Sequence, residues 1–161
     1  MRKNKGFSLI ELLIVVAIIL IIAAIAIPNL LRSRIAANEA SAVGSVRSIN
    51  TAEVTYSSTY PDVGFTTTIG ELGGTAATCA TTATKTAACL IDSVLASGTK
   101  SGYTFALAGA GTAVPNVTYT VTGIPVTVGQ SGQRGFFSDQ SGVIRYEAAG
   151  TAPSAASPAL Q

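Results

Sequence analysis

FSLIELLIVVAIILIIAAIAIPNLL, residues 7–31, is the stretch on which the fold turns. Its centre, Leu12 to Ile27, is uninterrupted apolar sequence, and further apolar residues extend it on both sides. As a helix the stretch spans about 37 Å, enough to cross a bilayer. Two residues break its uniformity. Glu11 places a carboxylate inside the apolar run, at a cost of roughly 2.5–3.5 kcal/mol at mid-bilayer and less near an end. Pro28 lacks an N–H and frees the carbonyl of Ala24, so a kink or local unwinding is expected around residues 24–28.

Three bases, Arg2, Lys3 and Lys5, precede the stretch, and two, Arg32 and Arg34, follow it. The positive-inside bias therefore puts Met1 in the cytoplasm, by a small margin, and the rest of the chain outside. Three readings fit such a segment. A cleavable signal peptide would use the small residues of Ala24-Ile25-Ala26 as its site. A plain single-span anchor would leave Glu11 unexplained. The third reading removes only the short basic leader and keeps the helix.

The run Gly6-Phe7-Ser8-Leu9-Ile10-Glu11 favours the third: a basic leader, a glycine, an aromatic, then a carboxylate within the apolar run. It closely resembles the class III signal of type IV prepilins. The resemblance implies that a membrane-embedded prepilin peptidase cuts between Gly6 and Phe7 on the cytoplasmic side and methylates the new amine of Phe7. Cleavage then creates a cation where the buried Glu11 needs one, each charge compensating the other. The family implies that Glu11 chiefly meets the Phe7 ammonium of a neighbouring subunit. Related pilins often melt near the proline, but many carry a glycine eight residues before it, where this chain has Leu20.

The implied protein is a structural subunit of a bacterial type IV pilus, serving adhesion, motility or DNA uptake. The alternative is a pseudopilin of a type II secretion system, and surface fibres discriminate the two. Implied partners are further copies of the chain in a helical homopolymer, the prepilin peptidase, the pilus assembly platform and, before assembly, the inner membrane. The mature subunit then lies in an extracellular pilus or a periplasmic pseudopilus. An electron-conducting fibre is disfavoured because the helix carries aromatics only at Phe7, Tyr56 and Tyr60.

Composition narrows the function from another side. The 161 residues allow one modest domain beyond an anchor, and only 11% are charged, against about 25% in an average soluble protein. Ten bases face eight acids; without Arg2, Lys3 and Lys5 the count is seven against eight, which argues against nucleic acid as the main partner. The chain has no histidine, so the commonest general base and metal ligand are missing. No carboxylate pair has a spacing that would build a hydrolytic site, and no enzyme activity, cofactor or metal is expected.

Beyond Leu31 the helix continues, with Ala42, Val43, Val46, Ile49, Ala52, Tyr56 and Tyr60 recurring every three or four residues. Pro61, Asp62 and Gly64 end it, giving one helix over about residues 8–60. The expected organisation is a leader at 1–6, a membrane or filament-core helix at 7–31, and its amphipathic half at 32–60. A connecting loop follows at 61–100, then an antiparallel sheet at 101–147 and an exposed, mobile tail at 148–161. The fold class is α+β and pilin-like, the long helix packing on a small antiparallel sheet.

Cys79 and Cys89 are expected to pair, since an exported segment meets oxidising conditions and a poorly patterned loop needs a staple. Closing the 11-residue loop CATTATKTAAC stabilises by slightly under ~3 kcal/mol in the chain-entropy picture. A short helix is expected near Cys89 to Leu95. Strands are expected at Tyr103 to Leu107, Val117 to Val121, Arg134 to Ser138 and Val143 to Glu147. Tyr103, Phe105, Tyr119, Phe136 and Tyr146 are the expected core of that sheet.

Three local patterns read as turns or strand starts rather than sites. Gly109-Ala110-Gly111 is too short for a phosphate loop, Asp139 with Ser141 offers one acid for a hard cation, and Asn116-Val117-Thr118 is a chance-level glycosylation match. Glu39, Glu53 and Glu71 are expected on a solvated helix face and a loop.

Overall fold

A computed structural model describes residues 7–80, 82–109, 114–148, 150 and 153–160. The chain divides into two compact units, Met1–Arg34 and Ile35–Gln161. Helix α1 runs from Leu9 to Thr59, 51 residues, with Pro28 inside it. The expected unwinding at residues 24–28 does not occur, since those residues stay helical. The flanking Ala24, Ala26, Leu30 and Leu31 are good helix formers, and one missing N–H does not interrupt so long an apolar helix.

In the second unit α1 buries Ala42, Val46, Ile49, Ala52 and Tyr56, with Val43 and Tyr60 packed at the margin. These are the residues of the amphipathic period, because positions three and four apart share a face. Against them lies a five-stranded antiparallel meander in the order β1-β2-β3-β4-β5. Its strands are β1 Thr99–Lys100, β2 Tyr103–Gly109, β3 Tyr119–Pro125, β4 Gly135–Asp139 and β5 Arg145–Glu147. Tyr103, Phe105, Tyr119, Val121 and Phe136 point into the core, while Tyr146 is half-buried beside it. Gly123 lies opposite Phe105 in the register, and a Cβ there would come within 3.0 Å of the ring. A side chain there would press on the ring, with Val46 just behind, so glycine suits the close approach of sheet to ring.

Three expectations shift. β3 runs from Tyr119 to Pro125 rather than from Val117 to Val121, and the two-residue β1 was not foreseen. The connecting segment holds three single-turn helices: α2 Ile69–Leu72, α3 Ala76–Cys79 and α4 Ser93–Ala96. The third starts where Asp92 accepts the Leu95 N–H at 3.0 Å, an ordinary N-cap. The described part of the tail is not a free end. Tyr146 N–H donates to Pro158 at 3.0 Å and Leu160 N–H to Ile144 at 2.8 Å, so the segment lies along the open edge of β5. The Arg145 guanidinium also donates to the Ser157 carbonyl at 2.9 Å. Backbone pairing holds a composition too poor in apolar bulk to fold alone.

Cys79 and Cys89 form a disulfide. It closes a loop whose return limb is pinned by backbone bonds that include Ala88 N–H to Glu71, Cys89 N–H to Gly73 and Leu90 N–H to Leu72, at 2.8, 3.0 and 2.7 Å. The Tyr56 hydroxyl donates to the Lys85 carbonyl at 2.8 Å from below. A Cys79→Ser, Cys89→Ser chain is expected to lose about 2–3 kcal/mol of stability. Thermal denaturation of the full chain in detergent, followed by circular dichroism, checks this, and an unchanged midpoint would contradict it.

Glu39 and Glu53 correct the expectation of a solvated helix face, for they are 7% and 0% exposed. Glu39 is satisfied by four donors. One carboxyl oxygen accepts the backbone N–H groups of Gln133 and Arg134 at 2.9 and 3.1 Å, and the other accepts Arg134 Nε and a terminal guanidinium nitrogen, both at 2.8 Å. The guanidinium lies near the rings of Phe136 and Tyr146, 5.7 and 5.6 Å from their centroids. This clamp fastens α1 to the start of β4. Removing it by Glu39→Ala leaves two backbone donors and a partly buried cation without partners. The expected loss is about 2–3 kcal/mol, below that of a fully buried pair because Arg134 is partly solvated. The same denaturation measurement checks it, and a loss under about 0.5 kcal/mol, the range of ordinary surface substitutions, would contradict it.

Candidate functional site

Every large apolar side chain from Phe7 to Leu31 is exposed, from 42% at Leu31 to 84% at Phe7. The helix is long and apolar enough to cross a membrane, and none of its most apolar 18-residue window is buried. A contiguous apolar surface of that extent needs lipid or protein to cover it.

Glu11 acts locally at the head of this helix. Its carboxylate accepts the Ser8 N–H at 2.9 Å, reaching back one turn to a donor that has no partner within the helix. Ser8-Leu9-Ile10-Glu11 thus has the form of a capping box, of which the Glu half is present. This contact was not among the sequence expectations, although a Ser followed three residues later by Glu at the start of an apolar run is its signature. An acid in the first turn also complements the positive end of the helix dipole. One carboxyl oxygen is engaged in this way.

Phe7 stands immediately before that capped turn and is exposed. Gly6, the other half of the expected processing bond, lies outside the described residues, as do the bases Arg2, Lys3 and Lys5. Pro28 sits within α1, and the disulfide cysteines lie far along the chain in the second unit. Of the residues expected to direct processing and assembly, the described ones, Phe7 and Glu11, lie at the start of α1, while the disulfide belongs to the globular unit.

The turn expected at Asp139 to Gly142 is present, whereas Gly109 ends strand β2. The Asp139 carboxylate accepts the Ser141 N–H at 2.8 Å, and Gly142 follows with φ of 73°, which glycine adopts without strain. Asn116 donates its side-chain amide to the Phe65 carbonyl at 3.1 Å. Ala110 and Gly111 lie outside the described residues. Burial pushes the hydroxyls of Tyr56 and Tyr119 up to about 12, and raises that of Tyr103 as well. All three hydroxyls donate hydrogen bonds, to Lys85, Asn50 and Arg134 respectively, so they act as core anchors.

A long N-terminal helix packed on a small antiparallel sheet, begun by an exposed apolar segment with one acid at its head, is a pilin-like arrangement. Residues 1–27 match the family described as the prokaryotic N-terminal methylation motif. The chain is 67% identical over 39 residues to a type IV wide pilus major component, PilA4, of Thermus thermophilus. It is 44% identical over 54 residues to a type IV major pilin protein, PilA, of Myxococcus xanthus. These stretches cover 24% and 34% of this chain, and span 30% and 24% of the length of the curated relatives. No solved structure matches the chain.

Proposed function

We propose that the chain is a structural subunit of a bacterial type IV pilus. In this reading it is made with its amino terminus in the cytoplasm and its apolar helix in the inner membrane. Prepilin peptidase cuts between Gly6 and Phe7 and methylates the Phe7 amine. The assembly platform then transfers the subunit from lipid into a filament, where the apolar helices of neighbouring copies replace the acyl chains.

The observation that carries the reading is the uncovered apolar surface of α1 beginning at a capped Glu11, within a segment matching the methylation motif. Transfer from lipid to a bundle of like helices costs little hydrophobic free energy, since both surroundings are apolar. Packing and the charge pair at the helix head then decide the outcome. The amine of a processed Phe7 would lie one residue before the N–H that Glu11 already accepts. An ammonium from an adjacent copy can reach the second carboxyl oxygen without breaking the cap. Adhesion, motility and DNA uptake are downstream uses of the fibre.

Immunogold electron microscopy of cells and of the sheared fraction tests the reading. Labelled surface fibres containing the chain support it. Label confined to the envelope, with secreted proteins retained when the chain is deleted, would favour the secretion pseudopilus instead.

A further inference from the structure

Two acids, Glu53 and Glu71, stand on either side of one buried threonine, Thr66. Glu53 projects from α1 and is fully buried. One of its carboxyl oxygens accepts the Thr66 N–H at 3.1 Å; the other is buried without a hydrogen-bond partner. Thr66, itself 1% exposed, donates its hydroxyl to the Glu71 carboxylate and accepts the Thr68 N–H at 3.1 Å. The titratable groups acting on this site are Glu71 from α2, Tyr56 from α1 and Tyr119 from β3. None of them is a cation, and the described ion pairs, Lys85–Asp62, Lys100–Asp92 and Arg134–Glu39, involve neither acid.

An ionised Glu53 would therefore sit without water, facing another acid, with one oxygen unsatisfied. Each of these conditions favours the neutral carboxylic acid. We propose that Glu53, Thr66 and Glu71 form a proton-dependent latch that holds the segment from Phe65 to Leu72 on α1, closed while Glu53 carries its proton and released as Glu53 ionises. The proton passes to solvent, and the freed carboxylate gains the hydration it lacks when closed. The latch reaches further than its own residues. The carbonyls of Glu71 and Leu72 hold Ala88 and Leu90, so release of the segment loosens the backbone on which the Cys79–Cys89 loop is docked.

The direction follows from linkage. Burial chiefly pushes the closed Glu53 carboxyl up from 4.5 to about 8; the Thr66 N–H, which favours the ionised form, offsets part of this and Glu71 adds to it. Between those values the closed state holds more protons than the open one, so closure weakens as pH rises and levels off above the upper value. Hydrogen exchange of the full chain in detergent micelles, read by mass spectrometry on peptides covering Thr66, tests this between about pH 5 and pH 9. Protection at Thr66, corrected for intrinsic exchange, should fall by up to roughly tenfold per pH unit until about pH 8 and level off above it. Amides of Phe105 and Val121 in the β2–β3 ladder should hold steady. Glu53→Gln keeps the acceptor for Thr66 but cannot ionise, and should flatten the profile. Glu71→Gln should move the end of the fall to lower pH. A flat native profile, a Glu53→Gln profile parallel to the native one, or an equal fall at Val121 would overturn the latch.

Discussion

A Glu11→Ala chain should be processed and methylated normally yet yield few fibres. Removing one partner of a desolvated charge pair costs about 2–5 kcal/mol, and each ~1.4 kcal/mol is tenfold in an equilibrium. Subunit addition should therefore weaken by at least thirtyfold or so, repeated at every step of the filament. The structure adds a complication, because Glu11 also caps its own helix through the Ser8 N–H. Loss of such a cap costs only about 0.5–2 kcal/mol. Glu11→Gln separates the roles, since its amide oxygen keeps the cap while the charge is gone. Both variants should be defective if the charge matters most. Fibres at the native level from Glu11→Gln, counted in the sheared fraction, would assign the residue to capping instead.

The second large effect is expected at Gly6. A Gly6→Val chain should accumulate in the membrane as full-length precursor, with no fibres at all. In the proposed pathway the uncut leader keeps three bases at the helix head, and no Phe7 ammonium forms to meet Glu11. Carrying those charges into a filament core costs far more than apolar packing returns. Processing is read directly by the mobility and mass of the membrane-bound chain. Normal maturation of Gly6→Val would move the processing site elsewhere.

These two variants act on the part of the chain that was most legible from sequence. An apolar run of that length admits few structures, and the carboxylate at Glu11 is conspicuous against it. The amphipathic half was legible for a similar reason: Ala42, Val46, Ile49, Ala52 and Tyr56 keep helical phase. Glu39 and Glu53 were misjudged although they fall in that same phase, at 39, 42, 46, 49, 53 and 56. Charge suggested solvent where position indicated burial. What the sequence could not show was the set of donors that makes burial tolerable, because Gln133, Arg134 and Thr66 lie on other elements. The start of β3 was misplaced because Val117 and Thr118 have strand-like side chains but precede the pairing of Tyr119 with Gly109. The docking of residues 157–160 on β5 rests on backbone bonds to a distant partner, and Ala, Ser and Pro leave no periodic trace of it.

The globular unit thus gains much of its definition from polar contacts between distant elements: the Glu39 clamp, the Thr66 cluster, the Tyr56 and Tyr119 hydroxyls and the disulfide. A chain with so few charges places two of its eight acids where they are buried. Such groups cost stability when unpaired and define geometry when paired.

The central claim is that the helix is retained while its leader is removed. Intact-mass and amino-terminal peptide analysis of the membrane and sheared fractions tests this most directly. The account predicts a chain that begins at Phe7 and is one methyl group heavier than the unmodified sequence from that residue. A chain beginning at Ile27 would mean a conventional secreted domain, and one beginning at Met1 a simple anchor; either result would contradict the account.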